Sequence, residues 1–225
     1  MKSNSIKGLI IKDLLNLNHY KTSLIVIVII FIGIGILNKD TLNYLPIMLM
    51  AMIGMIGLST FSYDELSKAD KYLLTFPTNK KELIKSKYIL IISMVLIGAI
   101  ISILIKLLIH YIMYKEIVNF DTIISILMGG IFGISLIECI QIPSVYKWGP
   151  EKGRIQMFIL IIVITGLIGA GIYLLTNAGL NIQIDSNKII QIIKTFGIYI
   201  VAILTFIMYF VSYKLSCKIY MKKEI

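Results

Sequence analysis

Six apolar runs, at 22–37, 44–61, 88–109, 122–145, 155–176 and 189–211, recur along the whole chain. Crossing a hydrocarbon layer of about 30 Å takes about 20 helical residues, and each run is near that length, the first two being the shortest. Lipid offers no partner for backbone N–H and C=O groups, so a spanning segment must be helical or belong to a closed barrel. These runs lack the alternation of barrel strands. With 58% hydrophobic and 15% charged residues and a mean hydropathy of +0.90, a chain of this length has too little polar surface to enclose a soluble core. The sequence predicts an all-α integral membrane protein, a bundle of six transmembrane helices forming one domain over 1–225.

A net charge of +10 can mark a nucleic-acid binder, so the placement of the basic residues decides its meaning. Lys2, Lys7, Lys12 and Lys21 precede the first run, and Lys68, Lys71, Lys80, Lys81, Lys85 and Lys87 lie between or beside the second and third. Lys147, Lys152 and Arg154 separate the fourth from the fifth, and Lys214, Lys218, Lys222 and Lys223 follow the sixth. Only Lys39, Lys115 and Lys188 fall in the alternate connections. By the positive-inside rule both termini are expected in the cytoplasm of a multi-pass plasma-membrane protein. The charge is then a topology signal, and with no platform of basic and aromatic residues no nucleic-acid partner is expected.

Before the first run, Ile6, Leu9, Ile10, Leu14 and Leu17 recur at helical spacing with Lys7, Lys12, Asp13 and Asn16 between them. This predicts an interfacial amphipathic helix over 1–21, an anchor that fixes the entry angle of the first span or a gating or partner contact. No cleavable signal pattern accompanies it. The segment 62–87 is the longest connection on the basic side and carries apolar residues at Leu66, Tyr72, Leu73, Leu74 and Phe76 among its charges. A short amphipathic helix is expected from Asp64 to before Phe76, since Pro77 disfavours an α conformation in its predecessor, and another from near Thr78.

The chain lacks the parts most enzymes need. No GxxxxGK[ST] and no GxGxxG is present to cradle phosphates, so no ATP hydrolysis by this chain is expected. The two histidines, His19 and His110, lie in different segments and cannot form a zinc site at helical spacing. Every Asp falls in a loop or terminal segment, and Cys139 and Cys217 suggest neither a disulfide nor a metal site. No cofactor bound by the chain itself is expected.

Glu138 is the ionisable residue least at home in lipid, about 16 residues into the fourth run. A charge at mid-membrane costs about 2.5 to 3.5 kcal/mol, so it should face the bundle or a water-filled cavity, with Gln141 on the same face. Either it pairs with a neighbouring span or it serves a substrate or gating role. Pro143 removes a helical N–H and crowds the carbonyl of Cys139, which predicts a kink or unwinding. Lys106 and His110, one turn apart near the outer end of the third run, are expected to snorkel to the headgroups. All four are candidate residues of a translocation path. Gly129 and Gly133 form a small-xxx-small face suited to close helix packing, within one bundle or between protomers, the former being the expectation.

Two polar segments resemble a known family. Asp64-Glu65, then Lys71-Tyr72-Leu73-Leu74-Thr75-Phe76-Pro77, then Lys80-Lys81-Glu82 and Ser86-Lys87-Tyr88, are similar to a pattern of acidic pair, y-LL-t-lP, basic pair and sKY. Pro143, Tyr146, Lys147, Gly149, Glu151, Lys152 and Arg154, the only arginine, are similar to a P-x-x-Y-K-x-G-x-E-K-x-R signature. Both belong to small ABC-type exporter permeases of Gram-positive bacteria, and the resemblance covers essentially the whole chain. It implies a six-helix type 2 ABC transporter permease that works beside a second permease copy or paralogue. A separate cytoplasmic ATPase subunit would carry ATP and magnesium, and some members export amphipathic peptides such as phenol-soluble modulins. It also implies that 64–82 couples to the ATPase, with 146–154 as a second cytoplasmic loop. The alternatives are an immunity or sensor subunit that sequesters a toxic peptide without pumping it, and an ion-coupled carrier. A carrier is disfavoured because only Glu138 lies well inside a span.

Overall fold

The computed structural model describes residues 2–37, 41–69, 79–115, 119–177 and 186–222. Among them every regular element is helical. Helix α1 (Lys2–Leu17) leads through a 3-10 turn (Asn18–Tyr20) into α2 (Lys21–Leu37), followed by α3 (Thr41–Leu66) and α4 (Lys80–Ile109). Then come a π-helical turn (His110–Tyr114), α5 (Phe120–Trp148), α6 (Pro150–Asn177) and α7 (Ser186–Lys222). Each apolar run falls inside one of α2 to α7, as it must if its backbone groups are to be satisfied within the segment. Among the described residues, five stretches are long and apolar enough to cross a membrane: Ser5–Ile36, Leu42–Leu66, Lys80–Met113, Phe120–Trp148 and Gly197–Lys222. The 28-residue α6 is not among these five, whereas the sequence pattern expects a sixth span there.

Helix α3 lies along α4, α5 packs on α3 and α7, α6 rests chiefly on α5, and α1 crosses α4 and α3. Gly98 of α4 lies close against α3: a Cβ there would stand 3.1 Å from Ile53 Cβ and 3.4 Å from the Met50 carbonyl oxygen. Gly98→Leu is therefore expected to cost about 1 to 2 kcal/mol by overpacking, read as a lower thermal midpoint of the detergent-solubilised chain. An unchanged midpoint would contradict so close a contact.

Contacts between side chains gather the polar segments at one end of the bundle, here termed the basic end. Ser5 Oγ donates to Glu82 Oε2 at 3.0 Å, Arg154 Nη2 donates to Ser62 Oγ at 2.8 Å, and the Lys80 ammonium lies 5.8 Å from the centre of the Tyr220 ring. The N-terminal helix and the last turns of α7 thus share that end.

Several boundaries differ from the sequence expectation. Of the described residues of 62–87, most are helical: Asp64 and Glu65 form the last turn of α3 instead of opening a separate helix, and α4 begins at Lys80. Its N-cap is Asn79, one residue beyond the expected Thr78, and the Asn79 carbonyl accepts from the Glu82 and Leu83 amides. Tyr72, Leu73, Leu74, Phe76 and Pro77 lie outside the described residues. Nor is 146–154 a loop: α5 runs to Trp148 and α6 starts at Pro150, so Gly149 alone breaks the helix. Gly149 makes this reversal at φ 87°, a value that L side chains rarely adopt, and proline suits a first helical position because its missing N–H would be unbonded there. Among the described residues, a Cβ at Gly129 or Gly133 would meet nothing within 4 Å. It is Gly130 that faces α3, against Met50, which turns its neighbours off that contact.

Candidate functional site

The helical register of α1 buries Leu9, Asp13 and Leu17, four residues apart each, and exposes Ile11, Leu14 and Leu15. The inward stripe thus includes a carboxylate, only 1% exposed, that sequence spacing had placed on the polar side. Lys87 of α4 reaches both oxygens of Asp13 at 3.0 Å. Asp64, in the last turn of α3, bridges two ammonium groups: Lys87 at 2.5 Å and Lys12 at 2.6 Å. Lys12 also reaches Asp13 at 3.1 Å. Two lysines and two aspartates form a charge-balanced cluster that joins α1, α3 and α4, with the Phe61 ring beside Lys87 (5.2 Å).

Beside this cluster the ends of α3 and α5 meet. Tyr146 packs edge-on against Phe61 and Tyr220 at 5.2 Å each, binding α5 to α3 and α7. A Cβ on Gly149 would come 3.2 Å from Glu65 Oε1, so the Glu65 carboxylate lies against the α5–α6 junction. A small cavity of about 100 Å³ is enclosed among Asp64, Glu65, Lys87, Tyr146, Gly149 and Tyr220. Lys147, Glu151 and Lys152, flanking the α5–α6 junction, are exposed, as is Lys81 in the first turn of α4, and Lys147 stacks its ammonium 4.3 Å from the Trp148 ring centre. The two polar segments singled out from sequence are therefore neighbours in space at the basic end.

Deeper in the bundle, Glu138 is 1% exposed and accepts from the Tyr209 hydroxyl at 2.6 Å. Its Oε1 has no hydrogen-bond partner among the described residues and faces Gly54 of α3, where a Cβ would stand 3.0 Å away. Gln141 is buried one turn on, its Oε1 likewise unpartnered among the described residues. Of the expected kink or unwinding at Pro143, unwinding does not occur: α5 runs on through it as one helix. The reason lies in α7: the proline leaves the Cys139 carbonyl without its helical donor, and Ser212 Oγ donates to that oxygen at 2.7 Å. Tyr88 Oη stands 2.6 Å from Ser212 Oγ and 2.8 Å from Ser216 Oγ. A hydroxyl has one proton, so with Ser212 committed to Cys139, Tyr88 donates to Ser212 and Ser216 donates to Tyr88.

Lys106 is 1% exposed and its ammonium donates at 3.2 Å to Oδ1 of Asn43, in the first turn of α3. His110 opens the π-helical turn one helical turn beyond. Asn43 and Gly54 are 11 residues apart on α3, about 16 Å of rise. Lys106 and Glu138 thus meet α3 at different levels along its length. Lys12, Asp13, Lys87, Tyr88, Tyr209 and Ser212 were not recognised as site residues from sequence. The available signals were Asp13, a lone acid in a basic segment and in register with Leu9 and Leu17, and the proline at 143, which requires a donor from elsewhere.

A helical, multi-pass membrane protein, with its polar chemistry held in interfacial ion pairs and interhelical hydroxyls, has the build of a transport subunit. The model of the family described as ABC-2 family transporter protein matches residues 8–221. The chain belongs to that family, the membrane permeases of type 2 ABC transporters, which are generally non-catalytic and work with a partner ATPase. No curated protein and no solved structure matches the chain.

Proposed function

We propose that the chain is the permease subunit of an ATP-driven exporter that moves amphipathic peptides or other hydrophobic compounds out of the cell. In this reading α6 is the sixth span, the basic end and both termini are cytoplasmic, and a second permease copy or paralogue completes the translocation unit. ATP and magnesium sit on the separate ATPase, which engages the segment from Asp64 to Glu82, with the α5–α6 junction beside it.

The observation that carries this reading is at the root of α4. Lys87 ties that helix to α1 and α3 through the carboxylates of Asp13 and Asp64, and the next residue, Tyr88, ties it to α7 and, through Ser212, to α5. A displacement applied to the segment just before α4 would reach four other helices within two residues. That suits a part driven from outside the membrane. The polar, unpartnered edge of Glu138 lies further along the same helices and supports a role facing the transported molecule.

The test is to co-express the chain with its ATPase partner, to be sought as a P-loop protein without membrane spans encoded beside it, and to introduce Leu73→Asp, Leu74→Asp and Phe76→Asp together. Copurification and permease-stimulated ATP hydrolysis should both be lost while the chain still reaches the membrane. Survival of both would remove this segment as the docking element.

A further inference from the structure

Helix α4 carries a stripe that changes character along its length. Lys81 and Lys85 are exposed, one turn apart, and Tyr88, Ile92 and Leu96 continue the same face toward the middle of the bundle. Opposite, Tyr213, Phe210, Phe206 and Ala202 of α7 recur at three- and four-residue steps. Between the two helices and α5 runs a cavity of about 540 Å³ whose walls are almost wholly apolar. A second cavity, of about 570 Å³, lies at the basic end and is lined by Asn79, Lys80, Lys81, Glu82 and Lys85. Lys85 and Tyr213 line both, which puts the basic cavity directly beside the apolar slot. Glu82, the acid in this basic cavity, is engaged by Ser5. Lys214 adds a further cation, its ammonium 4.5 Å from the ring centre of the slot residue Phe210.

We infer that this composite groove is a binding site for an anionic phospholipid of the leaflet at the basic end, its phosphate held by Lys81 and Lys85 and one acyl chain lying in the slot toward Leu96. The vertical order of the parts carries the assignment. Charge stands at the mouth and hydrocarbon lies behind it, as in a lipid whose headgroup sits at the interface. From Lys85 to Leu96 is 11 residues, about 16 Å of rise, a length that an acyl chain fills. Ordinary lipid-facing helix surface takes any lipid, whereas two exposed lysines beside the mouth favour a net negative headgroup. The site does not depend on the export reading, since it requires only that the chain be embedded in a bilayer.

The experiment is native mass spectrometry of the full-length chain released from micelles doped with phosphatidylglycerol, or with phosphatidylcholine of the same acyl chains. Each lysine near an anionic surface favours it modestly, so retention of phosphatidylglycerol should exceed that of phosphatidylcholine on the order of tenfold. Lys81→Gln with Lys85→Gln should bring the two lipids to parity, and Ala202→Trp, which fills the slot, should weaken retention of both. The surface lysine pair carries the test even if the tryptophan variant fails to fold. Equal retention of the two lipids by the unaltered chain, or a preference that survives the lysine replacements, would overturn the site. So would displacement of neither lipid but saturable binding of an amphipathic cationic peptide in the slot, which would assign the groove to a transported molecule.

Discussion

Replacing Asp13 with Asn should lower the stability of the detergent-solubilised chain by about 3 to 5 kcal/mol, the usual cost of stripping one partner from a buried ion cluster. For a chain of this size that is roughly a 10 °C fall in thermal midpoint. The cost comes less from the hydrogen bonds lost than from the charge left behind. Asp13 and Asp64 together balance Lys12 and Lys87, and without Asp13 two ammonium groups share one carboxylate in a site where Lys87 is buried. The explanation makes a second demand. Asp13→Asn combined with Lys12→Met leaves the Lys87–Asp64 pair neutral, so the double variant should regain most of the lost midpoint despite carrying more changes. If single and double variants melt together, or if Asp13→Asn costs nothing, charge balance is not what holds α1 to α3 and α4.

The cluster also shows where the sequence was legible and where it was not. The helices α2 to α7 follow from apolar runs because lipid leaves a spanning backbone no other way to satisfy its N–H and C=O groups. The basic segments follow from charge asymmetry alone. Burial inside a membrane protein is harder to read, since a residue facing a neighbouring helix and one facing lipid can both be apolar. Asp13 was placed on the polar face of α1 although it shares a four-residue register with Leu9 and Leu17, and it is buried because α4 brings Lys87 to it. For Lys106 the sequence marks the outer end of its helix but not the acceptor there, Asn43 of α3. The two cases have one source: a charged side chain's partner lies more than 60 residues away in sequence, at 74 for Asp13 and Lys87 and 63 for Lys106 and Asn43. The glycines are a related case. Spacing identified Gly129 and Gly133, but the rotation of α5 about its axis presents Gly130 to Met50.

Ser212→Ala should cost about 2 kcal/mol, because it removes the donor to a carbonyl that has lost its helical N–H partner. Pro143 is the reason that oxygen needs help, so the two positions should be coupled. In a chain carrying Pro143→Ala the restored amide can donate to the Cys139 carbonyl, and Ser212 becomes dispensable for that bond. Part of the Ser212→Ala cost has another origin: the serine hydroxyl also accepts from Tyr88, and that loss persists whichever residue stands at 143. The four thermal midpoints of the unaltered, Ser212→Ala, Pro143→Ala and doubly altered chains separate the two contributions. The cost of Ser212→Ala should fall by about 1 to 2 kcal/mol when Pro143 is replaced, while the remainder, due to Tyr88, stays. An identical cost in both backgrounds would mean that the hydroxyl does not serve the proline-freed carbonyl, and the continuity of α5 through residue 143 would need another cause.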